Sequence, residues 1–155
     1  MNTRIKITAL TLFFAVCLVT TSLAQETEKR VRMKDLPAPV QATVKEVSKG
    51  ATLRGLAMET ENGKTYYEAE LMVKGHSKDV TIDPDGKIVT IEEQVTMASL
   101  PAAAKAEILK QAGKGKILLV ESITENNSIV AYEAHVKTAG KISEVKVDPN
   151  GNPVK

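Results

Sequence analysis

Aromatic and sulfur-bearing side chains are scarce in this 155-residue sequence, which has no Trp, three Tyr, two Phe and one Cys. Phe13, Phe14 and Cys17 all fall in one apolar N-terminal run, so the remainder has neither Phe nor Cys. That excludes disulfides, thiolate metal sites and cysteine nucleophiles from the remainder. Few stacking rings and no cluster of Lys or Arg leave no footprint for nucleic acid. Histidine is limited to His76 and His135, and no nucleophile elbow or other hydrolase motif accompanies them. No catalytic residues are therefore assigned, and the protein is expected not to be an enzyme.

The one long apolar run has the form of an export signal. Arg4 and Lys6 precede residues 7–19, and Thr20-Thr21-Ser22-Leu23-Ala24 comes after them. A basic start, a short apolar centre and a small-residue end mark a secretory signal peptide over residues 1–24, cut between Ala24 and Gln25. The run is shorter than the roughly 20 residues that span a bilayer, so no membrane span is expected after cleavage. Cleavage removes Arg4 and Lys6 and no acidic residue, so 21 basic against 19 acidic groups become 19 against 19. The precursor's charge of +2 belongs to the signal and says nothing about partners. A periplasmic or secreted protein is expected.

Beyond the signal, the chain reads as one unit written twice. Leu36-Pro37-Ala38 recurs as Leu100-Pro101-Ala102, and Thr60-Glu61-Asn62 as Thr124-Glu125-Asn126. Tyr67-Glu68-Ala69 recurs as Tyr132-Glu133-Ala134, Gly75 as Gly140, Val80 as Val145, and Asp83-Pro84-Asp85-Gly86 as Asp148-Pro149-Asn150-Gly151. The register gains one residue between Asn62 and Tyr67, within a predicted turn where an insertion disturbs no packed side chain. After a lead-in at 25–34, the units are placed at 35–93 and 94–155.

Each unit opens on a helix. Asp35 and Ser99 stand before Leu-Pro as candidate N-caps, and proline is tolerated in a first helical turn. Val40, Val44 and Val47 form one stripe, matched by Ala104, Ile108 and Gln111; Gly50 stops the first helix, and Gly113 or Gly115 the second. The period then becomes two. Tyr67, Ala69, Leu71 and Val73 take one face of a strand, and Tyr66, Glu68, Glu70 and Met72 the other; Tyr132, Ala134 and Val136 oppose Ala131, Glu133 and His135 in the same way. Val80 and Ile82 match Val145 and Val147 toward the core. The Asp-Pro-x-Gly segments are tight turns, and a fourth short strand is placed at 87–95. The fold class is α+β: two tandem repeats, each a helix packed on a three- to four-stranded antiparallel sheet. The linker at 92–99 lacks Gly and Pro, so the units are expected to dock instead of swinging freely; whether they share one curved sheet is left open by the sequence.

The order of Leu-Pro, helix, strand, Tyr-Glu-Ala strand and Val-x-Ile/Val-Asp-x-x-Gly turn resembles the PepSY-like superfamily, including its branch related to β-lactamase-inhibitory proteins. The resemblance spans 36–89 and 100–154. It implies an extracytoplasmic domain that binds proteins or inhibits peptidases, with no catalytic residue to carry over. The scarcity of aromatics departs from the partner-specific loops of the inhibitory branch.

Function is expected where the copies differ, on the polar strand face: Tyr66, Glu68, Glu70, Met72, Glu133 and His135 are the candidate contacts for a protein or peptide of the cell envelope. An exposed Tyr and Met beside carboxylates offer an apolar anchor with a charged rim. Alternation places Glu68 and Glu70 in solvent. The alternative is sensing of a small ligand or envelope stress in a groove between the docked units. No cofactor is expected, and no metal: His76 corresponds to Lys141 and His135 to Glu70, so neither histidine is repeated, and metal-ligand spacing is lacking. Gln111-Ala112-Gly113-Lys114-Gly115-Lys116 follows a helix instead of preceding one, which suits a helix stop better than a phosphate loop. Intact-mass analysis of the exported protein is expected to show a chain beginning at Gln25; retention of Arg4 and Lys6 would refute the cleavage assignment.

Overall fold

Side-chain alternation decides which side of this protein is dry. The computed structural model describes residues 27–61 and 63–154; the signal peptide, its cleavage site and Asn62 lie outside them. The elements are β1 (Thr27–Arg30), a 3-10 turn (Met33–Asp35), α1 (Ala38–Val47), β2 (Thr52–Glu61), β3 (Lys64–Val73), β4 (His76–Ile82) and β5 (Ile88–Gln94). They continue with α2 (Ala102–Ala112), β6 (Lys116–Glu125), β7 (Ser128–Thr138) and β8 (Lys141–Val147). The strands form one eight-stranded sheet in chain order, every neighbouring pair antiparallel.

Two apolar clusters lie along one face. Val40 and Val44 of α1 pack with Leu56, Ala69, Leu71, Val80 and Ile82. Ala104, Ile108 and Ala112 of α2 pack with Val120, Tyr132, Ala134, Val136, Val145 and Val147. The pairing of β5 with β6 keeps both on the same side, because Val80 opposes Ile91 and the next position on that face, Glu93, opposes Ser122. Tyr132 is buried and Tyr67 partly so, as the alternation of their strands requires.

Three local expectations, for Asp35, Ser99 and Gln111, are corrected, and one strand is added. Asp35 and Ser99 do not cap the helices: Pro37 and Pro101 hold the cap positions, with no side-chain cap bond, and their carbonyls accept from the Gln41 and Lys105 amides. Proline fixes an extended entry, which leaves Asp35 to pair with Arg32 at 2.8 Å and Ser99 Oγ to donate to the Thr96 carbonyl. In α2 the buried stripe ends on Ala112, while Gln111 is exposed and its amide reaches Glu107. Here i+4 from Ile108 outcompetes i+3. Within the lead-in, residues 27–30 are a strand paired with β2. Their Thr-Glu-Lys-Arg sequence has no alternation to reveal it, as suits a charged edge strand.

Both Asp-Pro-x-Gly turns press on a helix. Asp83 Oδ1 accepts from the Asp85 and Lys87 amides, and Asp148 Oδ1 from those of Asn150 and Asn152. Gly86 (φ 86°) and Gly151 (φ 82°) then meet the first helical turns: an added Cβ would lie 2.9 Å from the Pro39 carbonyl and 2.7 Å from that of Ala103. Gly140 has a similar φ of 85° with open space around it. Gly140→Ala is therefore expected to cost about 1–2 kcal/mol for the backbone alone, and Gly151→Ala at least about 1 kcal/mol more for the collision. Urea denaturation of the two variants measures the difference, and equal losses would refute the turn–helix contact.

Candidate functional site

The opposite face of the sheet has no helix over it among the described residues. Cross-strand register aligns its side chains in rows. One row runs Gly55, Glu70, Asp79, Glu92, Ile123 and Ala131 from β2 to β7. Beside it stand Ala57, Glu68, Thr81, Thr90 and Glu125, and on its other side Gln94, Glu121, Glu133 and Lys146. Three carboxylates, Glu70, Asp79 and Glu92, thus face one another directly on adjacent strands. Like charges so placed destabilise a sheet.

Few cations answer them. Arg30 forms an ion pair with Glu70, crossing β2 at Gly55, where any Cβ would strike its guanidinium. Lys146 Nζ lies 2.8 Å from Glu133 Oε2. His135 Nε2 is 3.4 Å from Glu121 Oε2 and 3.5 Å from Glu133 Oε1. Glu121 Oε1 accepts from Ser77 Oγ at 3.2 Å.

The face is drier than alternation implied. Glu68 and Glu70 are half-buried, not freely solvated, and Glu121 and Glu133 are only 5% and 7% exposed. Ala57 and Ala131 on this face are themselves buried. Burial, then a shared hydrogen bond and the charge of Glu59, push the Glu68 carboxyl up to about 8. Burial with the charges of Glu121 and Glu70 pushes Asp79 up to about 6. Burial with Glu133 and Glu121 also raises Glu92. For Lys146, burial acts to lower the pKa but the bond to Glu133 outweighs it, and the pKa rises.

All six candidate contacts lie on this face, in two groups. Tyr66, Glu68, Glu70 and Met72 follow one another along β3, and Glu133 and His135 stand on β7, four strands or roughly 19 Å away. Two open clefts flank the first group: one of about 420 Å³ lined by Arg30, Glu68, Glu70, Met72, Ser77 and Asp79, and one of about 410 Å³ lined by Glu59, Tyr66, Thr90, Glu92 and Lys146. The junction of β5 and β6 has a smaller cleft of about 170 Å³ beside Ile91 and Thr124. Sequence reasoning missed Asp79, Glu92, Glu121 and Lys146. Alternation around Val80 and Val145 marks Asp79 and Lys146 as facing away from the core, but only the strand order brings them beside Glu70 and Glu133. His76 is exposed and paired with Val73, on the helix-bearing side, away from His135.

The raised carboxyls set a pH dependence. Glu68 holds its proton in the folded state between its ordinary value of 4.5 and about 8, and Asp79 between 3.8 and about 6, where the unfolded chain has lost it. Folded protein then binds more protons than unfolded, so stability falls as pH rises through these windows. The urea midpoint is expected to decline from about pH 5 to about pH 8.5, and Glu68→Gln to flatten the part above about pH 6. A midpoint that rises over this range would refute the assignment.

No protein-family model and no curated protein matches the chain. Solved structures do. A DUF2874 family protein from Bacteroides ovatus is 19% identical, with 77% of this chain and 85% of that one covered and a TM-score of 0.58. For a BLIP-like protein from Bacteroides fragilis the values are 20%, 77%, 84% and 0.53. For a candidate periplasmic protein from Bacteroides eggerthii they are 19%, 77%, 86% and 0.62. No described helix is long and apolar enough to cross a membrane. At these identities the likeness is one of fold: a BLIP-like α+β architecture of two helices on one antiparallel sheet.

Proposed function

We propose that this chain is an exported, non-catalytic binding protein, built from two copies of one α+β unit, that holds a Lys- or Arg-rich segment of an envelope protein or peptide against its helix-free face. The row Glu70, Asp79 and Glu92 carries this reading. Folding gains nothing from opposing three carboxylates, whereas an incoming cation converts their repulsion into attraction and gains further from the partly dehydrated surroundings. Tyr66 and Met72 supply apolar contacts at the two ends of the β3 group, with Glu68 between them, and Glu133 and His135 extend the surface across the sheet. Occupation of such a face is also how the protein would inhibit a peptidase or other enzyme that presents a basic surface. The fold shared with candidate periplasmic and BLIP-like proteins supports an extracytoplasmic binding role. Duplication is supported by the paired turn–helix contacts of Gly86 with Pro39 and Gly151 with Ala103.

Fluorescence anisotropy with matched Lys/Arg-rich, neutral and Asp/Glu-rich peptides tests the proposal. Binding is expected for the cationic peptide alone, weakening at least about tenfold from about 50 to 500 mM salt as screening grows. Glu70→Gln with Glu92→Gln is expected to weaken it at least about tenfold again. Equal binding of the neutral peptide, or indifference to both substitutions, would sink the proposal.

A further inference from the structure

We propose that Glu121, Glu133 and His135 form a binding site for a divalent transition-metal ion of zinc-like chemistry. The inference does not rest on the cationic-segment reading and is tested without a peptide. One ligand atom from each residue lies within 4.8 Å of the other two. Glu121 and Glu133 are direct cross-strand partners, and His135 follows Glu133 by two residues on the same strand face, so all three sit on the sheet framework instead of loops.

The spacing suits an ion. Tetrahedral zinc with ligands at 2.0–2.1 Å separates its ligand atoms by roughly 3.4 Å. The distances from His135 Nε2 to Glu121 Oε2 and Glu133 Oε1 are 3.4 and 3.5 Å. Each carboxylate turns one oxygen toward the imidazole and has the other held from outside, Glu121 Oε1 by Ser77 Oγ and Glu133 Oε2 by Lys146 Nζ. Such outer contacts orient ligands. Two carboxylate side chains only 6% and 10% exposed and directly opposed attract a cation, and Glu92 adds charge nearby. The His135 side chain, 29% exposed, leaves a path from solvent and room for a fourth ligand such as water. An imidazole in a three-residue set suits zinc and its neighbours in the transition series, not calcium, which takes six to eight oxygens. The competing account is a His135 ring lying beside the two carboxylates with no ion between them.

Calorimetric titration of the tag-free mature chain with ZnCl2 at neutral pH, alongside long-range 1H–15N spectra of the imidazoles, separates the two. One Zn2+ per chain is expected, with the His135 ring resonances shifting and those of His76 unmoved. His135→Gln is expected to weaken binding at least about tenfold, while His76→Gln leaves it unchanged. Because His135 is partly exposed, its variant is expected to fold even if Glu121→Gln does not, and the wild-type spectra need no variant. Absence of Zn2+ binding at about 1 mM, unchanged affinity in His135→Gln, or a shift confined to His76 would each overturn the assignment.

Discussion

The pairing of β5 with β6 is the constraint on which the rest depends. Five residues of each strand, Thr90 to Gln94 against Glu125 to Glu121, join what would otherwise be two small sheets. Each side has its own apolar cluster under its own helix, and a unit of that size is marginal alone. Pairing satisfies the backbone groups of two would-be edges and fixes the phase of everything beyond them. A slip of one residue would put Val120, Tyr132 and Ala134 on the face opposite the α1 cluster and bring Glu121 and Glu133 onto the α1 side. The hydrophobic pattern therefore enforces the register, and the register assembles the carboxylate face from both ends of the chain.

That face is in electrostatic tension with the fold. The apolar side rewards the strand order, and the same order stacks Glu70, Asp79 and Glu92 with Arg30 as the ion-pair partner at one end of the row. Burial first, and then mutual repulsion, raises the Glu68, Asp79 and Glu92 carboxyls, so bound protons lower the cost of placing them together. Local charge placement that conflicts with packing is the pattern expected at a site selected for something other than stability. The cationic segment and the metal ion that we propose would each act on this tension, at different places: the first in the β3–β5 row, the second between β6 and β7.

Legibility in the sequence followed the range of each interaction. Alternation along one strand was enough to assign Ala69 and Leu71 inward and Glu68 and Glu70 outward, because period two is a property of a single segment. The Asp-Pro-x-Gly turns were equally local. The caps failed because proline at the cap position makes Asp35 and Ser99 dispensable, a choice made by geometry and not by capping propensity. Strand β1 was invisible because its residues are charged and its partner, β2, lies more than twenty positions on. Burial of Glu133 was missed for a related reason: accessibility on an uncovered sheet depends on cross-strand neighbours, here Glu121 and Lys146, which no single segment reveals.

The same limit bears on the metal site we propose, since a duplicated unit was expected to show any such site twice. On the duplication we propose, Glu133 corresponds to Glu68 and His135 to Glu70, each 65 residues apart, and Glu121 corresponds to Ala57, 64 residues apart. The register agrees, since Ala57 opposes Glu68 as Glu121 opposes Glu133, and Gly55 opposes Glu70 as Leu119 opposes His135. In the first half the fully buried Ala57 offers no ligand, and Gly55 opens the space through which Arg30 neutralises Glu70. In the second half Glu121 stands where Ala57 does, His135 where Glu70 does and Leu119 where Gly55 does, and no arginine follows Arg54 in the sequence. Each difference suits the others: among the described residues Lys146 is the one ion-paired lysine beside the two opposed glutamates, and the histidine next to them is a ligand able to hold a further cation. A site made by divergence of the copies appears once, and its ligands carry no repeated motif.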